Sequence, residues 1–151
     1  MGTNIEQKLV RGFTLFEMLL VMSLLAMMAF IAVPVYQTFQ VSNDLDSAEE
    51  NMVQALKRAQ SLAHSGKNDS NWGVHLVAGT ITLFNGNSYA TRDSNYDESF
   101  TTSNKITPTG ISDVVFAKLT GLPNATGTFT FTGSNGETRA ISVNSKGTVS
   151  H

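Results

Sequence analysis

Cysteine is absent from the 151 residues, which excludes a disulfide framework, a thiolate metal site, a catalytic thiol and a lipidated cysteine. An excess of charge of either sign is missing as well. Ten Lys and Arg against twelve Asp and Glu give a formal net charge of −2, so composition offers no general basic face for a polyanion. There is no glycine-rich phosphate loop. The three histidines, His64, His75 and His151, are too far apart in sequence to mark a metal site or a base beside a nucleophile, and they read as solvated or incidental. No set of residues meets the requirements of an active site. The expectation is a protein that is not an enzyme, with no catalytic residue, metal or cofactor.

What is present is unevenly spread. All six Met lie within the first 52 residues, together with the one long apolar run, while the remainder is rich in Thr, Ser, Asn and Gly. Between Phe13 and Phe39 the only charged residue is Glu17, and Lys8 and Arg11 stand just before the run. About 20 apolar residues span a bilayer, and flanking positive charge stays on the cytoplasmic side. Three readings compete: a secretory signal, a plain anchor, or a signal of another kind. An ordinary secretory signal ends in a small-residue cleavage site, and the candidates Ala26, Ala29 and Ala32 lie inside a still-apolar stretch. A plain anchor accounts for the length and leaves Glu17 unexplained. A carboxylate costs on the order of 2 to 3 kcal/mol at the centre of a membrane span and less near its end. A place in the first helical turn returns only about 0.3 to 1 kcal/mol through the helix dipole.

The stretch Arg11-Gly12-Phe13-Thr14-Leu15-Phe16-Glu17 resembles the prepilin peptidase site of type IV pilins and type II secretion pseudopilins. The resemblance implies cleavage after Gly12, N-methylation of the new terminal Phe13, and retention of Glu17. Residues 1–12 are then a leader peptide. Its implied partners are the prepilin peptidase, an inner-membrane assembly platform and other pilins or pseudopilins, with the driving ATPase on another chain. Cutting after Gly12 creates an ammonium at Phe13, and Glu17 can neutralise that of a neighbouring subunit, because a paired charge is tolerable in lipid where a lone one is not.

Pro34 interrupts the apolar run, where it removes a helical hydrogen bond and predicts a kink; pilin stems resemble this in carrying a proline there. Beyond it, Leu45, Ala48, Met52, Leu56, Ala59 and Leu62 or Ala63 form a 3.6-residue stripe, with Asp46, Glu49, Glu50, Lys57 and Arg58 mostly elsewhere. Residues 13–39 read as the membrane and filament-core half of one helix, and 40–66 as an amphipathic half whose stripe packs on a head. Ser65-Gly66 ends the helix.

Residues 67–151 read as a β-rich periplasmic head. Trp72 to Val77 alternates, Thr80 to Phe84 follows, and Asn85-Gly86 has the chemistry of a hairpin turn. Arg92 to Asn104 is polar and reads as a loop. Ile111 to Leu119, Thr128 to Thr132, Arg139 to Val143 and Thr148 to Ser150 read as further strands. The fold class is α+β: a long kinked N-terminal helix on a small antiparallel sheet. Asp93-Ser94-Asn95-Tyr96-Asp97-Glu98 resembles the start of a calcium loop, but Glu98 stands where glycine is needed and Asn104 where glutamate is needed, so a solvated turn is the better reading.

The stem end Ala55 to Ala63, Val114-Val115-Phe116, Gly121-Leu122-Pro123 and the closing run Arg139 to Val149 resemble the GspH/FimT family of minor pseudopilins and minor pilins. That implies a subunit of a type II secretion pseudopilus or a type IV pilus, at the tip or in initiation. The alternative on the FimT side is a DNA-binding minor pilin, for which Lys105, Lys118, Arg139 and Lys146 would supply phosphate contacts. The C-terminus lacks the arginine cluster such receptors use, which makes DNA a weak candidate partner.

Overall fold

The computed structural model describes residues 12–151, without the side chains of residues 31–34. Residues 1–11, with Lys8 and Arg11 of the expected leader, lie outside the described residues. The chain divides between Gln37 and Thr38 into two compact units.

The first secondary element, α1, is Leu15–His64, 50 residues. It begins where Thr14 accepts a hydrogen bond from the Glu17 amide through its side-chain oxygen, 3.2 Å, which satisfies one of the donors that a helix start leaves free. The helix is one element through position 34. The Pro34 side chain lies outside the described residues, so the kink stays an expectation. In the first unit the large apolar side chains, Phe16, Leu20, Leu24 and Met27 among them, are exposed all round. The hydroxyl of Ser23 donates back to the Leu20 carbonyl, 2.8 Å, so its one polar group is satisfied within the helix, as lipid demands.

In the second unit α1 presents a narrow apolar stripe. Val41, Leu45, Ala48, Met52, Ala55, Leu56, Ala59 and Ala63 are buried, spaced so that they share one helix face. Four of these are alanines, which let the helix backbone approach its neighbours closely while Leu45, Met52 and Leu56 fill the space between. The expected stripe therefore packs as core, extended by Val41, Val53 and Ala55. At its C-terminal end Gly66 takes a left-handed conformation, φ 66°, which ends helices cheaply. The loop after Phe116 returns to this end: the Leu119 amide donates to the Ala63 carbonyl at 2.8 Å, and Gln60 Nε2 donates to the Gly121 carbonyl at 3.2 Å.

The head contains two antiparallel four-stranded sheets, where one small sheet is expected from the sequence. The strands are β1 (Trp72–Val77), β2 (Thr80–Asn85), β3 (Asp93–Thr101), β4 (Ile106–Gly110), β5 (Asp113–Phe116), β6 (Gly127–Gly133), β7 (Thr138–Val143) and β8 (Val149–Ser150). Their spatial orders are β3-β2-β1-β5 and β4-β6-β7-β8. Trp72, Val74, Leu76, Ile81, Leu83, Val114 and Phe116 of the first sheet share a core with Ile106, Phe129, Phe131, Ile141 and Val143 of the second and with the α1 stripe.

Three expectations need correction. Asn85-Gly86 does not make a tight hairpin: Asn85 closes β2 and is buried, and a 3₁₀ turn at Tyr89–Thr91 carries the chain to β3. The polar stretch read as a loop is β3, because an edge strand with little burial needs no hydrophobic alternation. The stretch Ile111 to Leu119 divides, with only Asp113–Phe116 in strand, and β4 precedes it around Pro108.

Candidate functional site

Two regions carry the sequence-predicted site residues, one in each unit. In the first, Gly12 and Phe13 precede the helix, outside any helix or strand, and are exposed. Phe13 is 78% exposed. Glu17 lies in the first turn of α1. Its carboxylate has no hydrogen-bond or ion-pair partner among the described residues; only its amide is engaged, by Thr14. The cap at Thr14 is a feature of the helix start that the composition reading passes over. Its signal is a threonine three positions before a glutamate at the start of an apolar run. The structure thus places Gly12, Phe13, Thr14 and Glu17 together at one helix start. By length and composition α1 is the one helix among the described residues able to cross a membrane.

In the second unit, two of the four basic residues that would contact phosphate, Lys118 and Arg139, form ion pairs within the chain. Arg139 reaches Asp46 at 2.9 Å and lies 3.8 Å from both Glu49 and Glu137. Glu137 in turn accepts from the Ser42 hydroxyl at 2.9 Å. These contacts tie β7 and the turn before it to α1, whose Asp46 and Glu49 also line a surface groove of about 350 Å³ with Glu50, Val53, Gln54 and His151. Lys118 Nζ donates to Asp69 at 2.6 Å, and that hydrogen bond, with the lysine's charge, holds the Asp69 carboxyl below its ordinary range.

His75 is not incidental. Its Nδ1 lies 2.5 Å from Asp113 Oδ1, and its ring stacks on Tyr89 with centroids 3.7 Å apart. The Arg92 guanidinium carbon sits 3.8 Å from the same Tyr89 centroid. Two groups that close to one ring must take opposite faces, so Tyr89 is clamped between them and its 3₁₀ turn is held on the sheet. Arg92 also bonds Asp97 at 2.8 Å, which pushes its ionisation further above the ordinary arginine range. The calcium-like run lies in strand β3 rather than in a turn, with Asp97 paired to Arg92 and Glu98 to Arg58. Among the described residues no three His, Cys, Asp or Glu side chains converge as metal ligands.

Residues 7–33 match the prokaryotic N-terminal methylation motif. No curated protein matches the sequence. Among solved structures, the minor pseudopilin EpsH from the Type 2 Secretion System of Vibrio cholerae is similar with a TM-score of 0.54 at 10% identity, over 71% of this chain and 94% of that one. At such identity the likeness is one of fold. The chain carries the prokaryotic N-terminal methylation motif on a type IV pilin-like, pseudopilin fold.

Proposed function

We propose that the chain is a minor pseudopilin or minor pilin, a structural subunit that enters a type II secretion pseudopilus or a type IV pilus at its tip or during initiation. Residues 1–12 serve as the leader, 13–39 as the membrane and filament-core half of the helix, 40–66 as the amphipathic half, and 67–151 as the periplasmic head. A prepilin peptidase cuts between Gly12 and Phe13, and Phe13 is N-methylated. The subunit waits in the bacterial inner membrane as a single-pass protein, with Lys8 and Arg11 on the cytoplasmic side. It then joins other pilins or pseudopilins through its helix on the inner-membrane assembly platform. Glu17 pairs with a neighbour's terminal ammonium, and Pro34 loosens the helix between.

The observation that carries this reading is the Glu17 carboxylate, without a partner among the described residues, in the first turn of an exposed apolar helix. In lipid such a group needs an opposite charge, and the end created by cleavage provides one. For the DNA-binding alternative, two of the four basic residues, Lys118 and Arg139, are already paired with Asp69 and Asp46, which leaves Lys105 and Lys146 for phosphate contacts.

Mass spectrometry of the membrane fraction tests the processing step. The expected N-terminal peptide starts at a methylated Phe13, and Gly12→Leu leaves the precursor uncut. An N-terminus still holding Lys8 to Gly12, in cells with an active prepilin peptidase, would refute the reading.

A further inference from the structure

Charge on the head is divided along one side of α1. Asp46, Glu50, Val53, Lys57, Gln60 and His64 recur at steps of three or four residues, so they share that side. Its first part is acidic. Asp46, Glu49 and Glu137 share a single guanidinium, that of Arg139, and Glu50 has no ion-pair partner among the described residues. The groove that Asp46, Glu49 and Glu50 line with Val53 therefore keeps an excess of negative charge after its internal pairs are counted. The helix dipole does not account for these carboxylates, since it acts within the first and last turns and Asp46 lies far inside Leu15–His64.

The far end of the same side is basic. Lys57, Lys67 and Lys146 have no ion-pair partner among the described residues, and only Lys118 is paired there, with Asp69. Lys146 belongs to this end because its neighbour Gly147 lies against Gln60 and the Gly121 carbonyl. Two leucines stand out among the lysines: Leu119 is 62% exposed and Leu122 48%. Leu119 is also held at φ 67°, a left-handed conformation that is costly for a residue with a Cβ. Its surroundings enforce it. The Leu119 amide is bonded to the Ala63 carbonyl, the Lys118 amide to Asn71 Oδ1 at 2.7 Å, and the Ala117 amide to the Leu122 carbonyl at 2.8 Å. The non-glycine residues with positive φ among the described residues, Asn68, Asp69 and Leu119, all lie at this end. An apolar side chain held outward on a strained, fully bonded loop contributes little to the fold and is suited to contact with another surface.

We propose that this surface is a second copy of the chain, with the lysine-flanked leucine loop of one copy seated on the acidic groove of the next. Charge complementarity selects the occupant, because like ends brought together would set carboxylate on carboxylate or lysine on lysine. The two surfaces differ, so the contact is heterologous and repeats from copy to copy. Its parallel, head-to-tail sense rests on the proposed membrane reading, which gives every copy the same orientation.

The test uses the purified full-length chain in detergent micelles, with cysteines introduced into a sequence that has none. Mixing Gln54→Cys, in the groove, with Thr120→Cys, beside Leu119, and adding a short bismaleimide should give a crosslinked dimer at several times the yield of either variant alone. The doubly substituted chain should give a ladder of longer products. Glu50→Lys, at an exposed position, should lower the mixed yield several-fold, as should high salt. Leu119→Gly should lose the product while melting no lower than the parent, since glycine takes positive φ freely. Equal yields from the single variants alone, a doubly substituted chain that stops at dimers, or full yield from Glu50→Lys or Leu119→Gly would each overturn the proposal. So would the absence of product at high protein concentration, which would assign both surfaces to other proteins. Leader cleavage plays no part in the readout, so this proposal and the processing step fail separately.

Discussion

Within α1, Leu15 and Phe30 are 79% and 88% exposed, whereas Leu45, Met52 and Leu56 on the same helix are completely buried. The backbone is alike in both stretches. Sequence pattern sets the difference: the first stretch is apolar on every side, and the second confines its apolar residues to one stripe backed by Asp46, Glu49, Glu50, Lys57 and Arg58. A helix apolar all round needs a solvent that is apolar all round. A striped helix needs only one packed face, which the two sheets provide. One element thus answers to two environments, and each half can be disturbed without the other.

The largest expected effect is on solubility. A chain beginning at Gln40 keeps the stripe and both sheets while losing the exposed apolar side chains, so it should be soluble and β-rich by circular dichroism. Aggregation from several start points near Gln40 would mean that the head needs the first stretch to fold.

A smaller effect separates the halves by stability. Leu56→Ala should lower the unfolding free energy of the head by about 2 to 5 kcal/mol, as for other fully buried leucines. The same change at exposed Leu20 should leave head unfolding in detergent unaltered. Denaturant titration followed by Trp72 fluorescence reads both, and an equal loss from Leu20→Ala would erase the contrast.

The smallest effect concerns pH. The Asp69 carboxyl is held below its ordinary value of 3.8 by Lys118. Its contribution is therefore present above that value and fades as pH falls through the lowered one. Melting temperatures of the parent and Asp69→Asn should differ slightly at neutral pH and converge in acid. A gap that persists in strong acid would show that Asp69 acts through something other than its charge.

The helix, its stripe and its stop were legible because periodicity of 3.6 and a terminal Ser65-Gly66 are strong local signals. Strands β1, β6 and β7 were legible from alternation, since each has one face in the core. The edge strands β3 and β4 were not. Most of β3 faces solvent on both sides, so its sequence resembles a loop, and β4 is hidden by Pro108, which an outward edge position tolerates. At the helix start Gly12, Phe13 and Glu17 stood out through their motif, and the Thr14 cap became clear only in the structure. His75 looked idle because its partners Tyr89 and Asp113 are 14 and 38 residues away. Such long-range pairs leave no local pattern.

Glu17 offers the most direct test of the account. Because the chain has no cysteine, one introduced pair reports crosslinking to neighbouring pilins without background. Glu17→Ala should be cut after Gly12 nearly as well as the parent, since the peptidase acts before any neighbour is present, yet the processed protein should fail to crosslink. Glu17→Gln should behave the same way, because it keeps the shape and loses the charge. Crosslinking of Glu17→Ala at the level of the parent would contradict the intersubunit charge pair and leave Glu17 only its role at the helix start.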